Sequence, residues 1–203
     1  MPTLETPGLD VYPSAAPYVA IAARESAARG VPLPIVLGVI ATESNFNPRA
    51  FRAEPAIGDA SRGLMQLLYR TARSLGFGGT TDELYDPAAN IALGTQYLAD
   101  GLTIHKGDVW AAVSRYNNGS GKRATKVTTV CEWRKADGSC GSSFTAQPGQ
   151  FFNQRYVDKV QRAAAVFGFD ESAPVTRAGI AGGSLGVILL LGLLGALVRR
   201  HHT

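Results

Sequence analysis

The sequence predicts a mainly α-helical domain with one small hairpin or loop insertion, followed by a single C-terminal transmembrane helix. Three observations carry that expectation. Segments opened by proline and closed by glycine recur before residue 170, with apolar side chains three and four positions apart inside them. Strand-like character is scarce, confined to the β-branched stretch Val127–Val130. Residues 179–198, GIAGGSLGVILLLGLLGALV, contain no charge at all.

In chain order, residues 1–12 carry prolines and acids but neither a basic start nor an apolar stretch, so they read as a flexible arm rather than a secretory signal. Pro17 opens a first helix that Gly30 closes. Pro34 starts a second, with Val36, Val39 and Ile40 on one face. A third is expected from about Leu64 to Leu75, with Gly76 after it. Asp86-Pro87 is an N-cap followed by a first helical residue, opening a long segment that carries Ile91, Leu98 and Leu102. The last helix of the domain carries Val157, Val160, Ala164 and Phe167, and Gly168 ends it. The expected boundaries are a domain over 13–169 with an insertion at 120–150, a polar linker over 170–178, the anchor over 179–198 and a basic tail over 199–203.

Composition narrows the function. The chain has 203 residues, 45% hydrophobic and 18% charged, which suits one packed domain with a short appendage. Of the net charge of +4, Arg199 and Arg200 supply two units, leaving a balance too weak for a nucleic-acid binder. Between Val109 and Cys131 lie Arg115, Lys122, Arg123 and Lys126 without an acid, readable as a solvated loop or as a contact to an anionic polymer. Only His105 stands outside the last three residues, so a Ser-His-Asp triad, a metal site or a cofactor is not expected. As a helix the apolar run spans about 30 Å, the thickness of a bilayer's hydrocarbon core. Its pairs Gly179/Gly183 and Gly182/Gly186 would let two such helices approach closely, although small residues are common in membrane helices anyway.

The chemistry concentrates in Leu33–Pro48, LPIVLGVIATESNFNP. Glu43 falls seven, four and three positions after Val36, Val39 and Ile40, which places it on the core-facing stripe just before the helix breaks. A carboxyl held against apolar side chains keeps its proton, because burial disfavours the charged form, and so becomes a general acid. On this segment alone, a glutamate paired to a buried arginine or turned to solvent is the better reading.

The motifs that follow decide between them. Glu43-Ser44 is succeeded by Gly63-Leu64-Met65-Gln66, Thr71-Ala72, Asp86-Pro87 with Asn90-Ile91 and Gly94, Tyr97-Leu98, Tyr116-Asn117-Asn118-Gly119, and Tyr156-Val157. This ordered series, from about Pro32 to Gln161, resembles the soluble lytic transglycosylase (SLT) family of the lysozyme-like superfamily. The resemblance implies a lysozyme-like helical fold and a peptidoglycan substrate. It makes Glu43 the catalytic acid and Ser44 a partner that orients groups at the cleft. Gly63 would allow close approach of the sugar, and Gln66 would hydrogen-bond it. Tyr116 and Asn117 would line the cleft, and Tyr156 would close on the glutamate. One carboxyl suffices in this family. It protonates the glycosidic oxygen between N-acetylmuramic acid and N-acetylglucosamine, then takes a proton from the muramoyl C6 hydroxyl, which attacks C1 to close a 1,6-anhydro ring.

Two alternatives stay open. Asp59 precedes the Gly63–Gln66 turn at a place where goose-type lysozymes carry a water-activating aspartate, so it is a candidate second carboxylate for hydrolysis. A wall-binding protein without turnover would keep the same cleft. Cys131 and Cys140, in the insertion, could close a disulfide in an oxidising envelope compartment and would stay thiols in a reducing one. Gly182-Gly183-Ser184-Leu185-Gly186 imitates a nucleophile elbow but lies inside the apolar run, and Asn118-Gly119-Ser120-Gly121-Lys122 imitates a phosphate loop but lacks its glycine spacing and the Ser/Thr after the lysine. Arg199-Arg200 would face the cytoplasm by charge bias and the domain the outside. With no secretory signal expected, a phage particle that brings the enzyme to the wall is the favoured setting, and a bacterial secretion or conjugation apparatus the second.

Overall fold

A computed structural model describes residues 6–135 and 137–172; the expected membrane helix, its glycine pairs and the basic tail lie outside the described residues. Among the described residues no helix is long and apolar enough to cross a membrane. The elements are α1 (Val19–Arg29), α2 (Leu33–Ser44), β1 (Phe51–Glu54), β2 (Asp59–Arg62), β3 (Leu67–Leu68), α3 (Tyr69–Ser74), α4 (Pro87–Ile104), α5 (Val109–Asn118), β4 (Thr128–Arg134), β5 (Cys140–Ala146) and α6 (Gln154–Val166).

Helix α2 is the axis of the domain. Ile35 through Ile40 are all buried, so it is apolar on every side rather than along the single stripe of Val36, Val39 and Ile40. Helix α6 packs directly on it, and the approach is close. A methyl group on Gly38 would stand 2.9 Å from the Ala164 backbone nitrogen, so only glycine fits there. The other end of α2 stops at Asn45, whose left-handed backbone (φ 49°) turns its N–H back to the Ala41 carbonyl at 3.1 Å. Phe46 follows at φ 61° and is held by Tyr12 and Phe167, with ring centroids 5.8 and 5.9 Å away.

Three helix starts use the chemistry their sequence advertises. Pro34 lies in the first turn of α2. The Asp86 carboxylate accepts from the Ala89 N–H at 2.8 Å and Asp108 from Ala111 at 2.9 Å, each satisfying a donor that the first turn leaves unpaired. The helix expected over Leu64–Leu75 is shorter, since Leu64–Leu68 form a turn and the strand β3 before α3 begins. Gln66 in that turn has φ 48° and cannot continue a helix.

Two features were not legible in the pattern. Strands β1, β2 and β3 form an antiparallel sheet, with Phe51 paired to Arg62 and Glu54 to Asp59. Helix α5 carries an apolar face that breaks off at Arg115 and ends at Gly119. The hairpin expected around Val127–Val130 is longer than that stretch: β4 and β5 pair over the insertion, and Cys131 and Cys140 are joined across it as a disulfide with Cα atoms 5.7 Å apart.

Candidate active site

The site is a cleft of about 360 Å³ between the end of α2, the β1–β2 hairpin, the turn before β3 and the end of α5. Glu43 projects from the last turn of α2 into it. The residue as a whole is half-buried, and burial of its carboxyl raises the pKa to about 7, against a smaller downward pull from the Tyr156 hydroxyl and the Arg52 guanidinium and a small upward push from Glu54. Glu43 is therefore a carboxylic acid over much of the range in which an ordinary glutamate is ionised.

The aromatic residues around it are donors fixed in that role. The Tyr156 hydroxyl, from α6, donates to Glu43 Oε1 at 2.7 Å. Burial first, and the neighbouring Glu43 second, push the Tyr116 and Tyr156 hydroxyls well above the ordinary tyrosine range, so both stay protonated. The Tyr116 hydroxyl donates to the Met65 carbonyl at 2.7 Å and fastens α5 to the turn. Its ring packs at 5.4 Å from Tyr97, which the Arg115 guanidinium covers at 4.5 Å.

The other expected residues divide into those that reach the cleft and those that build it. Gln66 lines it. Its Nε2 donates to the carbonyls of Ala50 and Gly63, both at 3.0 Å, which leaves Oε1 without a partner among the described residues. Asn117 also lines it, with its Oδ1 accepting from Asn153 Nδ2 at 3.0 Å, so its own amide N–H groups are free to face a ligand. Ser44 instead ties the helix end to the turn by donating to the Leu64 carbonyl at 2.7 Å. Gly63 also serves the scaffold. It has φ 76°, and a methyl group there would stand 2.4 Å from Asn90 Nδ2 and 2.7 Å from the Leu84 carbonyl. Asn90 is fully buried and fully used: Oδ1 accepts from the Met65 N–H at 2.7 Å, and Nδ2 donates to the carbonyls of Leu84 and Arg62.

Asp59 is occupied elsewhere. It does not line the cleft that Glu43 lines. Its carboxylate accepts from the backbone N–H groups of Ala60, Tyr69 and Arg70 at 2.7, 3.4 and 3.1 Å, and caps α3 from another strand. Burial alone would raise its pKa; those N–H groups and the Arg62 guanidinium outweigh it and hold the group below the usual carboxylate range. The second carboxylate in the cleft is Glu54, which sequence reasoning missed along with Arg52 and the lining role of Tyr97. The missing signal was the strand itself: residues two apart on β1 share a face, and β1 is too short and too polar to show alternation. The basic insertion is also less free than its charge suggests. Arg123 pairs with Asp108 at 2.8 Å and covers the Phe151 ring at 4.0 Å.

A helical domain presenting a protonated glutamate in an open cleft is the architecture expected of the lysozyme-like superfamily, and comparison with known proteins places the chain within it. The family described as Transglycosylase SLT domain matches residues 20–136, more than half the chain, and the protein belongs to that family. The chain is 36% identical over 118 residues to membrane-bound lytic murein transglycosylase C of Shigella sonnei, covering 51% of this chain and 32% of that protein. Its fold is similar to the X-ray structure of an inactive glutamate-to-glutamine mutant of lytic transglycosylase Slt from Pseudomonas aeruginosa, with a TM-score of 0.56 and 27% identity over 79% of this chain and 25% of that one. The chain thus spans about a third of the curated relative and a quarter of the solved one.

Proposed function

We propose that this protein is a peptidoglycan lytic transglycosylase with Glu43 as its single acid and base. The observation that carries the reading is the carboxyl itself, protonated up to about pH 7 by burial and aimed into the cleft with Tyr156 on one oxygen. Glu43 donates its proton to the glycosidic oxygen between N-acetylmuramic acid and N-acetylglucosamine as the C1–O bond breaks. The resulting carboxylate accepts the proton of the muramoyl C6 hydroxyl, whose oxygen bonds to C1, and a 1,6-anhydro end forms with Glu43 reprotonated. Tyr156 stabilises the carboxylate during the interval in which it carries charge. Gln66, Tyr116 and Asn117 hold the sugar, while Ser44 and Gly63 hold the turn that presents them. The SLT membership and the names of both relatives, a lytic murein transglycosylase and a lytic transglycosylase inactivated at a glutamate, support the same reading.

Mass spectrometry of fragments released from purified peptidoglycan tests this reading. Products ending in 1,6-anhydromuramic acid are expected. Reducing ends, heavier by one water, would instead mean hydrolysis. That second reading has one observation behind it, the presence of Glu54 in the cleft beside Glu43, whereas Asp59 is committed to capping. Binding without release would leave a wall-binding module.

The setting is part of the proposal. Residues 179–198 anchor the protein in a membrane, with self-association through the glycine pairs, and the domain works on the cell wall. A phage particle that opens the wall locally is the favoured context, ahead of a bacterial envelope apparatus. Detection of the protein in purified virions is expected; finding it only in uninfected bacterial membranes would remove the phage from the proposal.

A further inference from the structure

We propose that Arg52, held at the cleft by Glu54, forms a subsite for a carboxylate of the glycan strand. This rests on the transglycosylase reading above and extends it to the substrate's charge. Arg52 and Glu54 are two apart on β1, so their side chains leave the same face of the hairpin, and both line the cleft that holds Glu43. Arg52 Nε and Nη2 both meet Glu54 Oε1, at 2.7 Å each, and the Ser61 hydroxyl from β2 donates to that same oxygen at 3.2 Å. Three donors on one oxygen fix the guanidinium by one edge. Its Nη1 has no partner among the described residues, and the side chain is 64% exposed.

A guanidinium anchored on one side and open on the other is arranged to take a planar anion through parallel N–H groups. Neutral N-acetylglucosamine offers none. The muramoyl residue does, as the lactyl carboxylate of a peptide-free strand or as the carboxylates of a stem peptide, and these are the charges that sit beside the bond Glu43 would cleave. The placement also helps the acid. The groups facing Glu43 are Tyr156 on α6, Tyr116 on α5, and Arg52 and Glu54 on β1. Of these, Tyr156 and, less strongly, Arg52 favour the carboxylate, so a substrate anion that offsets the pull of Arg52 leaves Glu43 a firmer acid at the moment it is needed.

The test uses the full chain carrying Glu43→Gln, which binds without turnover, with and without Arg52→Gln or Arg52→Lys. Binding is measured to peptide-bearing muramoyl strands, to amidase-stripped strands that keep only lactyl carboxylates, and to chitin oligosaccharides that carry none. Arg52→Gln is expected to weaken binding of carboxylate-bearing strands about tenfold and Arg52→Lys less, with chitin affected by under about twofold, for the loss of one charge-assisted contact. A loss only on amidase-stripped strands assigns the lactyl carboxylate, a loss only on peptide-bearing strands assigns the stem, and a loss on both shows a subsite that takes either anion. Equal losses on all three ligands, or none, would overturn the subsite. Circular dichroism and thermal melting separate those outcomes from misfolding. If the Glu43→Gln chain with Arg52 intact bound no muramoyl strand, the functional reading would fail instead.

Discussion

Burial makes Glu43 an acid, and the consequences can be measured at that residue. Glu43→Gln keeps the acceptor for Tyr156 but cannot donate a proton, so turnover should fall by about 10²–10⁴-fold with the fold intact. In the wild-type protein the acid form is lost as pH rises through about 7, and the rate of fragment release should decline about tenfold per pH unit above that point. Tyr156→Phe removes a hydrogen bond that favours the carboxylate, which should move this decline to higher pH and lower the maximum rate. Stability follows the same sign. A carboxyl whose pKa is raised on folding contributes stability that is fully present below 4.5 and lost as pH rises through about 7. Glu43→Gln should therefore match the wild type in thermal melting at low pH. At pH 8 it should exceed it by about 1–3 kcal/mol, which is several degrees. Equal melting at both pH values would mean the carboxyl is solvated rather than held in a dry site.

Between elements, the proposed catalytic geometry depends on how α6 lies against α2, because Tyr156 is on one and Glu43 on the other. Gly38 and Ala164 set that distance. Gly38→Ala has no room and should cost about 1–3 kcal/mol in denaturant unfolding. It should also slow turnover by pushing Tyr156 off Glu43, an effect the pH profile would register as an upward shift. The β4–β5 hairpin is coupled to the same helix: the Glu132 carboxylate meets Arg155 at 2.9 Å, and Arg155 covers the Phe144 ring. Cys131–Cys140 closes a short loop, so its reduction should cost about 2–3 kcal/mol, localised to the hairpin. Hydrogen exchange should show faster exchange in β4 and β5 and unchanged protection in α2.

For the whole molecule, the cleft and the proposed anchor belong to different parts of the chain, and the described residues contain only the first. The full chain should sediment with lipid vesicles and resist extraction by salt, as a twenty-residue apolar helix does and a charge-held domain does not. Release of the protein by high salt would argue for surface binding through the basic insertion, where Lys122 has no ion pair among the described residues while Arg123 already pairs with Asp108.

The sequence by itself determined α1, α2, α4 and α6, because apolar spacing, Asp-Pro starts and glycine stops are local codes that survive without a partner; α5 went unread, and α3 begins later than expected. It also singled out Glu43, through the ordered motifs that follow it, because the helix segment alone left an arginine-paired or solvent-facing glutamate open. Other features were decided only when distant segments met. Strands β1 and β2 need each other's hydrogen bonds and carry no apolar alternation of their own, so Arg52 and Glu54 were invisible as a pair until β1 formed against β2 at the cleft. Asp59 and Ser44 look like site residues in sequence. Asp59 instead serves the backbone of α3, ten and eleven positions on, and Ser44 the turn at Leu64, twenty positions on. Burial of a polar side chain is a tertiary quantity, and so is the direction in which it spends its hydrogen bonds.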